Sequence, residues 1–145
     1  MEKKEFKKTF GAIAQKSGFE FAFNGWFKQS DDCIVTLDLQ KSNYSNLYYL
    51  NIKIYVQGTF GNCYKKSADL LRNVGNIFTR QPKEYDEVFD LDSPMVTDFR
   101  KHRLEDLFRE YITPYANQML SRAGIVEYAK NGGFLLPAIK KELGI

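Results

Sequence analysis

Two stretches of the sequence, residues 33–40 and 48–57, alternate apolar and polar side chains, and this period of two constrains the fold more than any other feature. Alternation of this kind predicts half-buried β-strands, because successive side chains of a strand point to opposite faces of a sheet. The polar loop at residues 41–46 is short, so the two strands are predicted to be antiparallel neighbours. Their predicted core-facing residues are Cys33, Val35, Leu37, Leu39, Tyr48, Leu50, Ile52, Ile54 and Val56.

A hairpin signal precedes these strands. Residues 19–23 alternate, Asn24-Gly25 is the dipeptide preferred in two-residue type I′ turns, and residues 26–29 return as a second strand. A turn centred on Asn24-Gly25 pairs Phe23 with Trp26. This register predicts one buried aromatic face made of Phe19, Phe21, Phe23 and Trp26.

The chain begins with an amphipathic pattern that predicts a helix at about residues 2–16. Apolar residues recur at the i, i+4, i+7 spacing of one helical face, and Ser17-Gly18 supplies an end, because glycine adopts the left-handed conformation that terminates helices. The predicted buried residues are Phe6, Phe10, Ile13 and Ala14. The lysines of the first turns fall mainly off this face and are expected to be solvated; they are Lys3, Lys4, Lys7 and Lys8.

Beyond residue 57 the pattern is weaker. A short helix is predicted around residues 67–72, and residues 77–80 and 85–91 are predicted to be two further strands joined by a turn that contains Pro82. The segment from residue 84 to residue 98 is acidic, which is more typical of a solvated strand edge and a helix start than of a metal-binding loop.

The remainder of the chain predicts helices. Asp92-Ser93-Pro94 is a helix start, in which the serine caps the helix and the proline occupies its first turn. A break is expected near His102, Thr113-Pro114 marks a new start, and the last helix covers about residues 136–143. The whole pattern predicts one α+β domain over residues 1–145. Its sheet is an antiparallel meander of about four to six strands, with the N-terminal helix and the C-terminal helices packed on it.

Composition describes the class of protein more than its activity. The chain has 145 residues and a formal net charge of +3, which is too small to indicate a nucleic-acid partner by itself. The N-terminus carries no apolar signal segment, and no run of about 18 apolar residues predicts a membrane-spanning helix. Cys33 and Cys63 form no CxxC pair, so we expect reduced thiols, a cytoplasmic location and no membrane partner.

Enzyme signatures are scarce. His102 is the single histidine, so histidine-rich metal sites are excluded, and a Ser-His-Asp or Cys-His arrangement would depend on this one residue. Neither the GxSxG nucleophile motif nor the GxxxxGK[ST] phosphate loop occurs. We therefore expect no cofactor, no metal and no catalytic residue. An enzyme with a cryptic carboxylate or Tyr/Lys site stays open as an alternative.

The polar sides of the two alternating strands form the main candidate binding surface. Tyrosines that are interleaved with amide and charged groups can fill a pocket on a protein partner or stack a nucleic-acid base. The competing interpretation is an ordinary solvated sheet face, or a face covered by the C-terminal helices. The candidate binding residues are Asp38, Gln40, Tyr49, Asn51, Lys53 and Tyr55.

Several short motifs follow one another in an order that resembles a known family. They are Phe6-Lys7, Gly18-Phe19, Leu37-Asp38-Leu39-Gln40-Lys41-Ser42, Tyr49-Leu50-Asn51-Ile52, Arg72-Asn73-Val74-Gly75 and Val88-Phe89-Asp90-Leu91. Over most of residues 1–115 they resemble the bacterial family known as domain of unknown function 4304. The resemblance implies an α+β fold and a bacterial cytoplasmic protein, and it implies no activity. It adds Arg72 to the candidate binding residues, either as a ligand contact or as a donor to buried carbonyl groups.

Three hypotheses for function follow. The first is a non-catalytic protein-binding module, accessory or toxin-neutralising, whose partner is another protein. The second is a binder of single-stranded nucleic acid that uses the Tyr/Lys/Asn face and the lysine-bearing helix, and it requires strong salt dependence. The third is the enzyme with a cryptic site, which requires a pocket and a titratable group with a shifted pKa. The sequence leaves the oligomeric state open.

Overall fold

The computed structural model describes residues 1–145 and contains one five-stranded antiparallel sheet. The strands lie in the order β1-β2-β3-β4-β5, and each pairs with the next along the chain, so the sheet is a meander. The predicted α+β meander with N- and C-terminal helices is confirmed. The strands are β1 (Glu20–Ala22), β2 (Gly25–Gln29), β3 (Cys33–Lys41), β4 (Tyr48–Val56) and β5 (Ile77–Arg80).

Seven α-helices accompany the sheet, and none is both long and apolar enough to cross a bilayer. Short 3-10 turns lie at Thr59–Gly61 and Lys83–Tyr85, and a π-helical turn at Phe108–Ile112 joins α4 directly to α5. The helices are α1 (Lys3–Lys16), α2 (Ala68–Arg72), α3 (Asp86–Phe89), α4 (Thr97–Leu107), α5 (Thr113–Met119), α6 (Arg122–Lys130) and α7 (Pro137–Leu143).

The core lies between one face of the sheet and the helices. It is a single cluster of 27 buried residues that runs from Phe6 on α1 to Ile139 on α7. Every core-facing residue predicted on β3 and β4 belongs to it or packs against it, and so do the four apolar residues predicted on α1. Phe10 packs inside this cluster, and the centroid of its ring lies 4.9 Å from that of Trp26 and 5.2 Å from that of Phe108. We call this side of the sheet the core face and the other side the second face.

The predicted register of the β1–β2 hairpin is wrong by one residue. The turn residues are Phe23 and Asn24, with φ of 54° and 65°, and Gly25 is the first residue of β2, opposite Ala22. A Cβ on Gly25 would lie 2.7 Å from the side chain of Leu71 and 3.0 Å from the backbone oxygen of Leu37, so this close packing favours glycine in the strand. The shift breaks the predicted aromatic face, because Phe23 now contacts Phe27 on the second face.

Residues 85–91 are not a strand, contrary to the sequence pattern. They form the end of a 3-10 turn and the short helix α3, and only an isolated bridge at Asp90 pairs with the sheet. The physical reason is Arg100, which is completely buried on α4. Its guanidinium donates hydrogen bonds to four backbone carbonyls, those of Glu87 (3.2 Å), Val88 (2.6 Å), Asp90 (3.0 Å) and Ser93 (3.1 Å). A side chain thus supplies the donors that a neighbouring strand would otherwise provide.

The first C-terminal helix also begins later than predicted. α4 starts at Thr97 and not at Ser93, because the hydroxyl of Ser93 is bonded to the Glu87 carboxylate (2.7 Å) and does not cap a helix. The chain shows no break near His102, and the departure from α-helical geometry lies instead at the π-turn of residues 108–112.

Candidate functional site

The second face of the sheet is divided into two halves. Residues 57–76 fold back over one half, which we call the covered half; its buried residues Phe27, Ile34 and Tyr55 pack against Leu70 of this segment. The other half lies beyond this segment, and we call it the open half; its residues are Asp38, Gln40, Tyr49, Asn51, Phe78 and Arg80. Cross-strand pairing sets this composition, because Asp38 pairs with Asn51, and Asn51 with Arg80. The cover comes from residues 57–76 and not from the C-terminal helices, which the sequence left open as one alternative to a solvated face.

Polar contacts brace residues 57–76 internally and attach the end of this segment to β4. The side-chain amide of Gln57 donates to the carbonyl of Tyr64 (2.9 Å), and the side-chain oxygen of Gln57 accepts from the backbone N–H of Tyr64 (2.6 Å). The side-chain oxygen of Asn76 accepts from the backbone N–H of Val56 (2.7 Å). The Gln57 bonds therefore join two parts of the segment, and the Asn76 bond attaches its far end to the end of β4, where a regular strand partner is missing.

Tyr55 lies inside the covered half and is 2% exposed. Its hydroxyl donates to the carbonyl of Leu70 (2.7 Å), and its ring lies 5.0 Å from that of Tyr64. Burial, with smaller contributions from Tyr64 and Asp38, raises the pKa of the Tyr55 phenol to about 12. Tyr55 is therefore a packing residue in this fold.

Lys53 lies at the boundary between the two halves and is 5% exposed. Its ammonium group is 3.3 Å from Oδ2 of Asp38 and donates to the carbonyl of Leu71. Its charge is compensated within the fold, and its side chain joins the sheet to the end of α2. Of the predicted binding residues, Lys53 and Tyr55 are thus buried under residues 57–76, and Asn51 in the other half is also only 5% exposed.

The open half is organised around Asn51. Its side-chain amide nitrogen donates to Oδ1 of Asp38 (3.0 Å) and to Oε1 of Gln40 (3.0 Å). Its side-chain oxygen accepts from Nε of Arg80 (3.1 Å). Four side chains from three strands therefore form one connected hydrogen-bonded network, and such a network restricts the rotamers of its members.

Arg80 is the functional candidate that the sequence analysis missed. Its guanidinium carbon lies 4.5 Å from the centroid of the Tyr49 ring and 5.7 Å from that of Phe78. Arg80 and Gln40 are exposed, and Phe78 is 46% exposed. Alternation in residues 77–80 puts Phe78 and Arg80 on the same side of their strand, but only the register with β4 places them beside Lys53 and Asn51.

Arg72 is separate from the other predicted binding residues. It lies on α2, its side chain is 72% exposed, and its guanidinium pairs with the carboxylate of Asp69 one helical turn earlier. It satisfies no buried carbonyl group.

The side chains of the open half can form polar, charged and stacking contacts. Its only carboxylate, Asp38, is engaged by Lys53 and Asn51, so it is poorly placed to accept a proton from a substrate. Its guanidinium is held between two aromatic rings, an arrangement that suits a partner carboxylate and a flat or apolar side chain. No three His, Cys, Asp or Glu side chains come together as metal ligands anywhere in the fold.

Comparison with known proteins gives one result. The chain matches the model of the family described as Domain of unknown function (DUF4304) over residues 10–118. The chain belongs to this family. The matched part of this DUF4304 domain includes the whole sheet and the open half, which confirms the resemblance noted in the sequence. Neither a curated protein nor a solved structure matches the chain significantly.

Proposed function

We propose that this DUF4304 domain is a non-catalytic protein-binding module of the bacterial cytoplasm, accessory or toxin-neutralising, and that the open half is its binding surface. One observation carries the proposal: Arg80 is fixed by Asn51 and lies against Tyr49 and Phe78. Nη1 of Arg80 makes no hydrogen bond within the fold, so it is free to receive a carboxylate oxygen of a partner.

The residue types of this surface favour a protein partner. Arginine and tyrosine are enriched among the residues that dominate binding energy, especially where neighbours restrict their motion. Because the hydrogen bonds of Asn51 and Gln40 already orient Arg80, binding would cost less side-chain entropy than ordering a free arginine. Phe78 supplies apolar area beside the charge, which is the usual composition of an interface centre.

The ionisable groups with shifted pKa values support a non-catalytic role. Burial is the main cause that raises the pKa of Cys33 and of Tyr55, and both residues are packed inside the protein. Burial likewise raises the pKa of Tyr85, whose side chain is enclosed beneath the guanidinium of Arg103. These pKa shifts result from packing in the protein interior, and none of them belongs to a residue of the open half.

The test is a comparison of matched variants in a tagged pull-down from nuclease-treated lysate of the organism that encodes the chain. Arg80→Ala and Tyr49→Ala change the open half, while Arg72→Ala and Tyr44→Ala remove the same side chains from exposed positions outside it. We expect one stoichiometric protein to be recovered with the wild type and with both control variants. Truncation of a central interface residue costs about 2 kcal/mol or more, so Arg80→Ala should weaken binding at least about thirtyfold.

Two results would contradict the proposal. A partner recovered equally well by the open-half variants and the controls would remove the open half as its binding surface. Co-purification of nucleic acid from untreated lysate, with an affinity that falls steeply as salt rises, would favour the nucleic-acid hypothesis instead.

A further inference from the structure

A large cleft lies on the other side of the molecule from the open half. It has a volume of about 630 Å³ and runs between α1 and the continuous α4–α5 helix. Because both helices pack against the core face, the cleft and the open half are separate surfaces. We propose that this groove binds an acidic, amphipathic helix of a partner protein.

The shape of the groove supports a helical occupant. On α1 its wall is the i, i+4 row Lys8, Ala12 and Lys16, and on α4–α5 it is the i, i+4 row Lys101, Glu105, Arg109, Thr113 and Asn117. Two i, i+4 rows that face each other across a cleft form the kind of groove into which a third helix packs its ridge. From Lys8 to Ser17 the α1 wall is about 14 Å long at 1.5 Å per residue, which accommodates between two and three turns.

The π-turn contributes to the straightness of the second wall. In an α-helix, residues at i+4 overshoot a full turn, so a long i, i+4 row drifts around the helix axis. A π-turn is wider and rotates the chain less per residue, and the turn at residues 108–112 lies in the middle of this row. It therefore offsets the drift and keeps Thr113 and Asn117 on the groove side.

The positive charges of the groove predict a negatively charged partner. Lys8, Lys16 and Lys101 are exposed and have no carboxylate within ion-pair distance, while Glu105 is the only acidic residue of the walls. Arg109 is already paired with Asp106, at 2.6 Å. At one end of the groove Lys28 adds a further positive charge, since its Nζ donates to the side-chain oxygen of Asn117 (3.1 Å).

The composition of the groove's floor and rim favours a macromolecule over a small anion as the ligand. The floor is apolar, with Ile13 and Phe108 at its base and the small side chain of Ala12 on one wall. The cations are exposed lysines at the rim, whereas small-ligand pockets usually fix an anion with a few convergent and enclosed polar groups. A partner helix with an apolar stripe facing the floor and acidic residues facing both rims would complement both parts of the groove.

The experiment is a selection from a displayed library of amphipathic helices of about 18 residues, with a fixed Leu/Ala stripe and random polar positions. Helices selected on the wild-type protein are then titrated against Lys8→Glu/Lys16→Glu/Lys101→Glu and against the control Lys65→Glu/Lys130→Glu/Lys140→Glu. All six lysines are exposed and unpaired, and the two variants change the net charge equally. We expect acid-rich helices that bind the groove variant at least about tenfold more weakly than the control, because each reversal replaces an attraction with a repulsion. Binding should weaken with salt and shift the amide resonances of α1 and residues 108–117.

Three outcomes would overturn the inference. One is selected helices without an excess of Asp and Glu, and another is equal affinity for the groove variant and the control. The third is a response of the groove amides to inorganic phosphate or citrate with no helix selected, which would assign the cleft to a small anion. Arg80→Ala serves as a second control, because loss of the open half should leave helix binding unchanged. Failure of the groove and failure of the proposed function are therefore distinguishable.

Discussion

Arg100 should be one of the most sensitive positions in the protein. It is fully buried, and its guanidinium donates to four carbonyls of residues 87–93, three of them through Nη1. Burial lowers the pKa of Arg100, while Asp90 and Glu87 oppose that shift. Arg100→Met keeps much of the apolar volume but leaves these carbonyls without a donor.

The hydrogen bonds of Arg100 determine how much stability each substitution should remove. Removing one partner from a buried, charge-assisted cluster costs about 3–5 kcal/mol, which is a large fraction of the stability of a domain of this size. Arg100→Lys places one nitrogen where Nη1 lies, so it can serve three of the carbonyls but not the carbonyl of Ser93. We therefore expect a smaller loss of about 2 kcal/mol for Arg100→Lys.

Urea unfolding with matched fluorescence and circular dichroism measures both losses. Hydrogen exchange should show the earliest loss of protection in residues 86–93, because Arg100 is what holds their backbone. A loss below about 1 kcal/mol for Arg100→Met, or equal losses for the two variants, would refute the reasoning, since it would mean that the carbonyls find water or other donors at little cost.

Three further predictions concern packing, the network and pH. Gly25→Ala should destabilise the protein by about 1–3 kcal/mol in urea unfolding, because its Cβ would meet the side chain of Leu71 at 2.7 Å. Asn51→Ala removes three hydrogen bonds, so it should cost about 1–3 kcal/mol and raise the mobility of Arg80, as measured by side-chain NMR relaxation. Burial raises the pKa of Cys33 from 9.0 to about 12, so the folded state holds this proton more tightly than the unfolded state. The free energy of unfolding should therefore fall as pH rises from 9 toward 12, by about 2 kcal/mol at about pH 10.5, and Cys33→Ala should flatten that part of the profile; an unchanged profile would contradict the assignment.

The parts of the fold that the sequence predicted are those in which burial is periodic. α1, β3 and β4 each bury one face, so the spacing of apolar residues reports directly on their structure. The errors have tertiary causes. Gly25 is needed for the approach of Leu71, and Arg100 holds residues 87–93 away from strand geometry; neither interaction has a local sequence pattern.

The candidate site was predicted only in part, because periodic burial shows which residues share a face of the sheet but not what covers that face. Alternation places Asp38, Gln40, Tyr49 and Asn51 on one face of the sheet, and they do lie together in the open half. Alternation cannot show that residues 57–76 fold back over Lys53 and Tyr55, because that segment attaches through hydrogen bonds of the Lys53, Tyr55 and Asn76 side chains and not through a periodic pattern. Arg80 becomes a candidate only when the register between β4 and β5 is known.

Site-specific photo-crosslinking in the cell tests the central claim most directly. The photoreactive residue p-benzoylphenylalanine replaces Phe78 in the open half or, as a control, Phe99 on α4; these residues are 46% and 55% exposed. The account predicts one protein adduct of discrete mass from position 78, its loss when Arg80→Ala is added, and no such adduct from position 99. An adduct from position 99 alone, or none from position 78, would contradict the claim that the open half is a protein-binding surface.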